Sequence, residues 1–455
     1  MSRCSVALVN PPFNGTFDGA PIGLLYLGAA LENAGHDVTL HDFGGIQTDM
    51  AQAAAKVLDR RPGIIGIGGT SPSFAEALRL ATEIRRRDKE VWIVKGGCHE
   101  RFGRQVDAFC GLDGEAGPMD AAVFAAAAES QMVQLARDRA DGMVNPRPMD
   151  GIRLRWTARV GLGLSSPLSP AVSAIRLAPV RHLISDRGRY TYGGIFGGAN
   201  ATQVITYRGC PFDCSFCALP KDVLWHEWEA VERDIRGLRV QGYDAVFIDD
   251  GTFTLDWDWA KRVCDLLHEC GLMWACQTRV DKVNEERLTH MARSGCVYVY
   301  YGLESGSDRV RKAINKPLEP TEIVKGIQRT RELGMRATAS FIFGVPLGNA
   351  GTEHDSREDW EASVKLIREA KPHNVIPTIF SYYPGSPAWD RLPERRKGAY
   401  VKGESREPVW SFFDDGYGGI HHVTKEVAGD IRDYLSREIP DYLWPGLAAV
   451  AKSTD

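Results

Sequence analysis

Three cysteines, Cys210, Cys214 and Cys217, lie close together in the stretch RGCPFDCSFCALP, with the spacing C-x3-C-x2-C. Four thiolates would complete the coordination of a zinc ion or an iron-sulfur cluster. Three thiolates in one loop leave a metal position open. The loop follows QVITY, which predicts a strand, so we expect the cysteines at the carboxyl end of a parallel sheet, where ligands of such folds bind. An open metal position at that edge can take a substrate or cosubstrate directly.

Two other metal sites fit the same cysteines. One is structural zinc with a fourth ligand from His226 or from a distant cysteine, and the other is a four-thiolate cluster that only transfers electrons. A zinc site usually has a second paired motif downstream. The later cysteines lack C-x2-C spacing, and their surroundings predict small core residues in helices and strands. These cysteines are Cys264, Cys270, Cys276 and Cys296.

The C-x3-C-x2-C motif after the first strand of a β-α series resembles the radical S-adenosylmethionine (SAM) superfamily, and the similarity extends through most of residues 200–385. The resemblance implies that the three cysteines ligate three irons of a 4Fe-4S cluster, whose fourth iron is chelated by SAM. It also implies an external electron donor of flavodoxin or ferredoxin type, or a partner reductase. The electron cleaves SAM to methionine and a 5'-deoxyadenosyl radical, while the protein binds, orients and excludes water.

The same resemblance assigns residues around SAM. Phe216 resembles the apolar residue near the adenine, and Asp249 and Asp250 resemble the segment that receives the SAM amino group, a role that suits carboxylates. Glu304 resembles the residue that contacts the ribose or the methionine. Further positions at strand ends are implied to face SAM or substrate. They are Gln277, Arg279, Ser305, Phe343, Gly344 and Tyr382, with Tyr383 beside the last.

The residues alone leave structural alternatives for these positions. The two aspartates could cap a helix. Gln277 and Arg279 could belong to structural ion-pair networks. The tyrosines could be core residues.

Repeated strand and helix signals must position these side chains. SVALVNPP, HDVTLHDF, GIIGIGG and VWIVKGG predict buried strands separated by helices, which indicates a parallel, doubly wound, Rossmann-like domain over residues 1–120. Residues 121–200 are rich in Gly, Pro and Ser toward their end and predict a linker or wrap. Residues 201–390 carry six further β-α units, which fit a partial (β/α)6 barrel rather than a complete eight-unit one. Residues 391–455 predict a small C-terminal cap. The fold class is therefore α/β.

The stretches VNPPFNG, GIGGTSPSFAEALRLA, KGGCHE and DGEAG resemble the cobalamin-binding class of radical SAM enzymes. Many members of that class methylate unactivated carbon, with cobalamin carrying the methyl group. Two features argue against bound cobalamin. The sequence has no D-x-H-x-x-G motif, which supplies a lower histidine ligand, and only RFGRQVDAFCGL separates KGGCHE from DGEAG. We therefore expect a domain that keeps the fold without cobalamin.

The first functional expectation is hydrogen abstraction from an aminosugar such as paromamine, followed by radical 1,2-diol dehydration or deoxygenation. This resembles the diol dehydratases of aminoglycoside antibiotic biosynthesis, of the apramycin-pathway type. A polycationic substrate needs carboxylates and hydroxyls in its pocket. Candidates near the barrel mouth or cap are Glu353, Asp355, Asp414, Asp415 and Tyr417, with His421 and His422 as acid or base.

Other functions stay open from the sequence. The alternative within the superfamily is a cobalamin-dependent C-methyltransferase. The readings without catalysis are a zinc-stabilised protein and an electron-transfer iron-sulfur protein.

Composition limits the class of protein. The chain has 455 residues, 25% of them charged, and a formal net charge of -4, so it predicts no surface for nucleic acid. MSRCSVALVNPPFNG lacks the apolar run of a signal peptide, and no stretch is long and apolar enough to span a membrane. Ten cysteines in such a chain predict reduced thiols and ligands, and thus a cytoplasmic enzyme.

Overall fold

A computed structural model of the chain describes most of its residues. The described residues are 2–13, 19–46, 48–69, 73–97, 117–123, 128–155, 176–348, 353–397, 407–408 and 418–443. The chain divides into two compact units. The first comprises Met1–Arg189, Leu224–Val231 and Asp390–Arg406, and the second comprises Tyr190–Val223, Glu232–Trp389 and Glu407–Asp455.

The first unit is built around one sheet with helices between its strands. Its strands are Ser5–Phe13 (β1), Asp37–Gly44 (β2), Ile64–Ile67 (β3), Trp92–Lys95 (β4), Ala121–Val123 (β5) and Ile152–Leu154 (β6), and its helices are Ile22–Asn33 (α1), Met50–Leu58 (α2), Phe74–Arg87 (α3) and Glu129–Ala140 (α4). In the described part of the chain the order is β2-β1-β3-β4-β5-β6. β1 to β5 pair in parallel and β6 is antiparallel. The strand order reverses between β1 and β3, which is where doubly wound folds bind ligands.

The apolar pattern of the strands explains this architecture. All four residues of β3 and all four of β4 are buried, as expected for parallel strands whose faces are both covered. Leu31 of α1 and Leu135 of α4 belong to the same buried cluster as Val6 and Ile64 of the sheet. The predicted Rossmann-like fold of the amino-terminal part is confirmed.

The second unit contains the other large sheet. The strands within residues 201–379 are Ala201–Val204 (β7), Tyr207–Arg208 (β8), Leu224–Trp225 (β9), Ala245–Ile248 (β10), Met273–Thr278 (β11), Cys296–Glu304 (β12), Arg336–Phe343 (β13) and Asn374–Ile379 (β14). Of these strands, β9 belongs to the first unit. The helices are Trp228–Leu238 (α5), Trp257–Glu269 (α6), Glu285–Arg293 (α7), Asp308–Ala313 (α8), Pro320–Glu332 (α9), Arg357–Ala370 (α10) and Pro387–Asp390 (α11). Among the described residues the sheet has six parallel strands in the order β14-β13-β12-β11-β10-β7. The predicted partial (β/α)6 barrel is confirmed.

Side-chain caps begin several of these helices and so fix where each preceding loop ends. Asp256 accepts a hydrogen bond from the Trp259 N–H at the start of α6, and Asn284 caps α7 in the same way. A capping box formed by Ser356 and Asp359 starts α10. Such caps satisfy backbone donors that have no partner within the helix.

The described C-terminal elements belong to the second unit. They are Ser381–Tyr382 (β15), Glu407–Pro408 (β16), Gly418–His421 (β17) and Lys425–Glu438 (α12), and the three strands form an antiparallel sheet in the order β15-β17-β16. The four segment boundaries drawn from the sequence stay predictions, although β5 and β6, from the segment 121–200, pair with the first sheet. No helix within the described ranges is both long and apolar enough to cross a membrane.

Candidate functional site

The three cysteines lie in one loop beyond the carboxyl end of β7. Cys210 and Cys214 are buried, Cys217 is half-buried, and all three thiols are free. The Cys210 N–H donates to the Pro220 carbonyl at 2.8 Å, and the Cys217 N–H donates to the Cys214 carbonyl at 3.1 Å. These backbone bonds fold the loop on itself, so the thiols come from one short turn.

Two glycines allow this loop to pack closely. Gly209 has a φ of +87°, and a Cβ there would lie 2.0 Å from the Asp222 carbonyl oxygen. A Cβ on Gly251 would lie 3.2 Å from the Cβ of Cys210. A side chain at 209 is therefore excluded, and the chain after β10 approaches Cys210 because Gly251 has none.

Asp250, at the carboxyl end of β10, braces the start of the cysteine loop. The donors to its buried carboxylate are the Thr206 N–H at 2.7 Å, the Thr206 hydroxyl at 2.6 Å and the Tyr207 N–H at 3.3 Å. The Tyr207 hydroxyl donates to the Thr252 carbonyl at 2.6 Å, and the Thr252 hydroxyl lies 3.8 Å from the Cys210 sulfur. Burial raises the pKa of Asp250 to about 7, against the opposing effect of these hydrogen bonds. Both of its carboxylate oxygens are thus engaged by the protein.

Asp249 and Gln277 lie at the ends of the neighbouring strands β10 and β11. A carboxylate oxygen of the half-buried Asp249 accepts from the Gln203 amide at 3.1 Å. Burial raises the pKa of Asp249 to about 7. The Gln277 amide donates to the Asp250 carbonyl at 3.1 Å, so Gln277 ties the two strand ends together. Its role and that of the aspartates toward SAM stay predictions.

Arg279 follows β11 and packs against the cysteine loop. Its Nε and Nη2 each donate to Asp281 at 2.9 Å. Its Nη1 lies 3.9 Å from the sulfur of Cys214, and the guanidinium lies 4.1 Å from the centroid of the Phe212 ring. The structure therefore brings this predicted residue together with a predicted metal ligand.

Glu304 ends β12 in a buried ion pair. Its Oε1 lies 2.6 Å from the Nζ of Lys316, and its Oε2 accepts from the Ser340 hydroxyl at 3.2 Å. The backbone of Glu304 has a φ of +67°, which is costly for a residue with a side chain. A Cβ on Gly302 would lie 2.5 Å from Glu304 Oε1 and 2.6 Å from Lys316 Nζ. The pair is thus packed over a glycine.

Lys316 also connects this pair to the cysteine loop, a role the sequence did not indicate. Its Nζ lies 5.9 Å from the centroid of the half-buried Phe216 ring. Two residues before it, the Ile314 carbonyl accepts from the Ser215 N–H at 2.9 Å, and the Asn315 amide donates to the Asp213 carbonyl at 2.9 Å. In the sequence, the stretch INKPLEP carries no motif or periodicity that separates Lys316 from a surface lysine.

Ser305 lies in a buried turn after β12. Its hydroxyl accepts from the Ser307 N–H at 3.1 Å and lies 3.4 Å from the Ser363 hydroxyl. Its carbonyl accepts from the buried Arg311 guanidinium at 2.9 Å. These contacts fix the turn, and the contact with SAM stays a prediction.

Phe343 and Gly344 close β13 at the same sheet edge. The Phe343 carbonyl accepts from the Phe380 N–H at 2.8 Å. Gly344 has a φ of +70°, and a Cβ there would lie 2.9 Å from a methyl group of Val423. Gly344 is therefore needed for the approach of the C-terminal segment, while its predicted approach to adenine stays untested.

Tyr382 contacts the C-terminal segment. Its hydroxyl lies 2.9 Å from Nδ1 of His422, whose Nε2 lies 3.0 Å from the Glu353 carbonyl. Buried Asp355 accepts from the Val345 N–H at 3.1 Å. Asp414, Asp415, Tyr417 and the side chain of His421 lie outside the described residues.

The donor set suits an iron-sulfur cluster. Burial raises the pKa of the Cys214 and Cys217 thiols, while the charge of Lys316 acts to lower both. A nearby cation favours the thiolate, which is the form that ligates a metal. Within the described ranges no group of three or more His, Cys, Asp or Glu side chains is arranged to hold a single metal ion. A 4Fe-4S cluster would instead take the three thiolates on three different irons, and the three ligand assignments stay predictions.

Comparison with known families identifies two domains in the chain. The radical SAM superfamily matches residues 204–355, which include the cysteine loop, Asp250, Arg279 and Glu304. The chain therefore contains a radical SAM domain. The B12-binding domain matches residues 14–123. This radical SAM enzyme therefore carries the two domains expected from its sequence, and the predictions of a 4Fe-4S cluster and SAM are confirmed.

Individual relatives cover much of the enzyme. An uncharacterized methyltransferase from Pyrococcus horikoshii is 28% identical over 411 residues, which are 86% of this chain and 83% of the relative. Cytidylyl-2-hydroxyethylphosphonate methyltransferase from Streptomyces wedmorensis is 34% identical over 188 residues, which are 38% of this chain and 34% of the relative.

A solved structure has the same fold. It is the radical SAM methyltransferase TsrM from Kitasatospora setae with tryptophan and a SAM analogue, with a TM-score of 0.70 and 19% identity, covering 86% of this chain and 76% of TsrM. A second TsrM structure contains cobalamin and a [4Fe-4S] cluster, with a TM-score of 0.67 and 18% identity, covering 87% of this chain and 78% of TsrM.

These matches correct the functional expectation. The prediction of aminosugar diol dehydration is wrong, because both of the relatives described above are methyltransferases. The cysteine motif is common to the superfamily and could not distinguish the two reactions. The shortened stretch that argued against cobalamin falls within 98–116, outside the described residues. His226, the candidate zinc ligand, packs edge-on against Tyr26 with ring centroids 5.2 Å apart.

Proposed function

We propose that this radical SAM enzyme is a cobalamin-dependent methyltransferase that acts on a carbon atom of a small molecule. The observation that carries the proposal is that one chain contains both a B12-binding domain and a radical SAM domain. A methyltransferase relative aligns with 86% of this chain. The external electron donor expected of the superfamily is part of the proposal. The chemical class of the substrate is left open.

The described edge of the first sheet fits a cobalamin. Gly69 has a φ of +115° and Gly97 has a φ of +72°, and a Cβ on Gly97 would lie 2.4 Å from the Gly69 carbonyl oxygen. Successive backbone N–H groups in turns that include left-handed residues can form concavities that bind anions. These two glycines follow β3 and β4, next to the switch point of the sheet.

A buried lysine adds positive charge to that edge. Lys95 is 3% exposed, and its Nζ donates to the carbonyls of Gly68 at 3.1 Å and Gly96 at 2.5 Å. The amide groups at the periphery of a corrin have carbonyl oxygens that such donors match. Lys95 and the paired glycines would hold that periphery. The lack of a D-x-H-x-x-G motif fits binding without a lower histidine ligand.

The chain's own residues have distinct tasks in this proposal. Cys210, Cys214 and Cys217 hold the cluster, and Asp249 accepts from the SAM amino group. Glu304, fixed by Lys316, binds the ribose or methionine part of SAM. When bound, the cluster supplies the electron that cleaves SAM, and cobalamin carries the methyl group.

The products of SAM distinguish methyl transfer from simple radical cleavage. A SAM molecule that gives up its methyl group leaves S-adenosylhomocysteine, whereas reductive cleavage gives 5'-deoxyadenosine. The reconstituted enzyme is incubated with an equimolar amount of SAM and a low-potential reductant. One sample contains cobalamin and the other does not. We expect S-adenosylhomocysteine only in the cobalamin-loaded sample. Formation of 5'-deoxyadenosine without any S-adenosylhomocysteine in either sample would contradict the proposal.

A further inference from the structure

The guanidinium of Arg279 is held rigidly beside the cysteine loop. Arg279 is 8% exposed. Two of its nitrogens are paired with Asp281, each at 2.9 Å, and its plane lies over Phe212 at 4.1 Å. A two-point carboxylate contact and an aromatic contact together leave a guanidinium little freedom.

The third nitrogen is the one that reaches a metal ligand. With Nε and Nη2 on Asp281, Nη1 is directed at the sulfur of Cys214 at 3.9 Å. Three other described lysines lie near this loop, but their contacts differ. Lys221 donates to the Phe212 carbonyl at 2.7 Å. Lys316 is paired with Glu304 at 2.6 Å, and Lys282 lies 5.5 Å from the Phe212 ring. Among these cations, and within the described residues, Arg279 is the one that donates a hydrogen bond to a cysteine sulfur.

A donor at a ligating sulfur changes the energetics of electron uptake. Reduction adds negative charge to a cluster, and hydrogen bonds to its sulfurs and nearby charge stabilise the reduced form and raise the potential. We propose that Arg279 is a positioning residue that donates to the Cys214 sulfur and raises the reduction potential of the cluster. The inference rests on the cluster assignment within the proposed function but not on methyl transfer.

The test is a potentiometric titration of the reconstituted enzyme without SAM, followed by the electron paramagnetic resonance signal of the reduced cluster. At a fixed solution potential, we expect Arg279→Gln to lower the ratio of reduced to oxidised cluster about tenfold, or about 59 mV for a one-electron couple. Arg279→Lys keeps the positive charge but loses the planar guanidinium group. It should shift the potential less than Arg279→Gln does. Lys282→Gln removes a nearby charge without touching a sulfur and should leave the ratio nearly unchanged.

Each other outcome overturns the inference. If Arg279→Gln keeps its cluster and the reduction potential is unchanged, the inference is rejected. The same holds if the variant loses only affinity for SAM. An equal shift in Lys282→Gln would assign the effect to general charge. If Arg279→Gln does not take up iron, Asp281→Asn replaces it, since it frees the guanidinium without removing it. A smaller shift in the same direction is then expected, and no shift rejects the inference. A wild-type chain that takes up no cluster would instead reject the cluster assignment itself.

Discussion

The Nζ of Lys316 lies 2.6 Å from Oε1 of Glu304, in an ion pair whose two side chains are 7% and 6% exposed. Buried charges are tolerated when they are paired and hydrogen-bonded, and Ser340 supplies the additional donor. The pair joins the end of β12 to the segment that also holds the cysteine loop through Ile314. Glu304 is thereby fixed before any ligand arrives.

Breaking this pair from one side should be strongly destabilising. Lys316→Met leaves the Glu304 carboxylate buried without its cation, which typically costs about 3–5 kcal/mol. The urea midpoint of the cluster-free protein measures the loss. Lys312→Met removes an exposed lysine that pairs with Asp308 at 2.7 Å and should change the midpoint little. Equal midpoints for Lys316→Met and the wild type would reject this account of the pair.

A side chain at position 209 should prevent cluster assembly. Gly209→Ala places a Cβ 2.0 Å from a backbone oxygen of Asp222, so the cysteine loop must move. We expect most of the iron and sulfide to be lost on reconstitution. Gly242→Ala is the matched control, because its φ of +84° gives the same backbone strain while no described atom lies within 4 Å of the new Cβ. Iron and sulfide contents equal to the control's would show that the loop tolerates the change.

Removing one ligand should abolish both the cluster and its reaction. Cys214→Ala is expected to lose the visible absorption of the cluster and all cleavage of SAM. Cys270→Ala, which changes a half-buried cysteine at the end of α6, should retain both. The absorption spectrum and the yield of 5'-deoxyadenosine are the measurements, and cleavage that survives in Cys214→Ala would reject the ligand assignment.

The stability of the cluster-free protein should fall as the pH rises from about 4 to about 7. The pKa of Asp250 is raised by burial from 3.8 to about 7, so in this window the folded state holds a proton that the unfolded state has released. The stabilising effect is complete below the unfolded pKa and is lost as the pH passes the folded one. Each unit of pKa difference corresponds to about 1.4 kcal/mol.

Asp250→Asn should therefore weaken the pH dependence of the urea midpoint. Some dependence should remain, because burial also raises the pKa of Asp249 to about 7. Asp308→Asn is the control, since hydrogen bonding to Lys312 lowers the pKa of that exposed carboxyl and keeps its titration outside the window. An unchanged slope in Asp250→Asn would show that Asp250 does not titrate there.

The sequence predicted the fold and the iron-sulfur cluster because both depend on local patterns, while the three cysteine ligands stay predictions. The β-α alternation and the C-x3-C-x2-C motif can be found without knowing any contact. Asp250 was predicted as a site residue from its place at a strand end. Its hydrogen-bond partners Thr206 and Tyr207 are more than 40 residues away in the sequence, so these hydrogen bonds could not be predicted. Lys316 was missed for the same reason, since only the fold brings it to Glu304. The reaction was predicted wrongly, because no local motif encodes it.

The most direct test of the central claim is the absorption spectrum of the anaerobically purified chain after reconstitution with iron and sulfide, loading with cobalamin and desalting. A cobalamin-dependent radical SAM methyltransferase predicts a retained corrin band, equivalent to a single cofactor per chain, together with the cluster absorption. A cluster band with no retained corrin would contradict the proposed function, while leaving the radical SAM assignment in place.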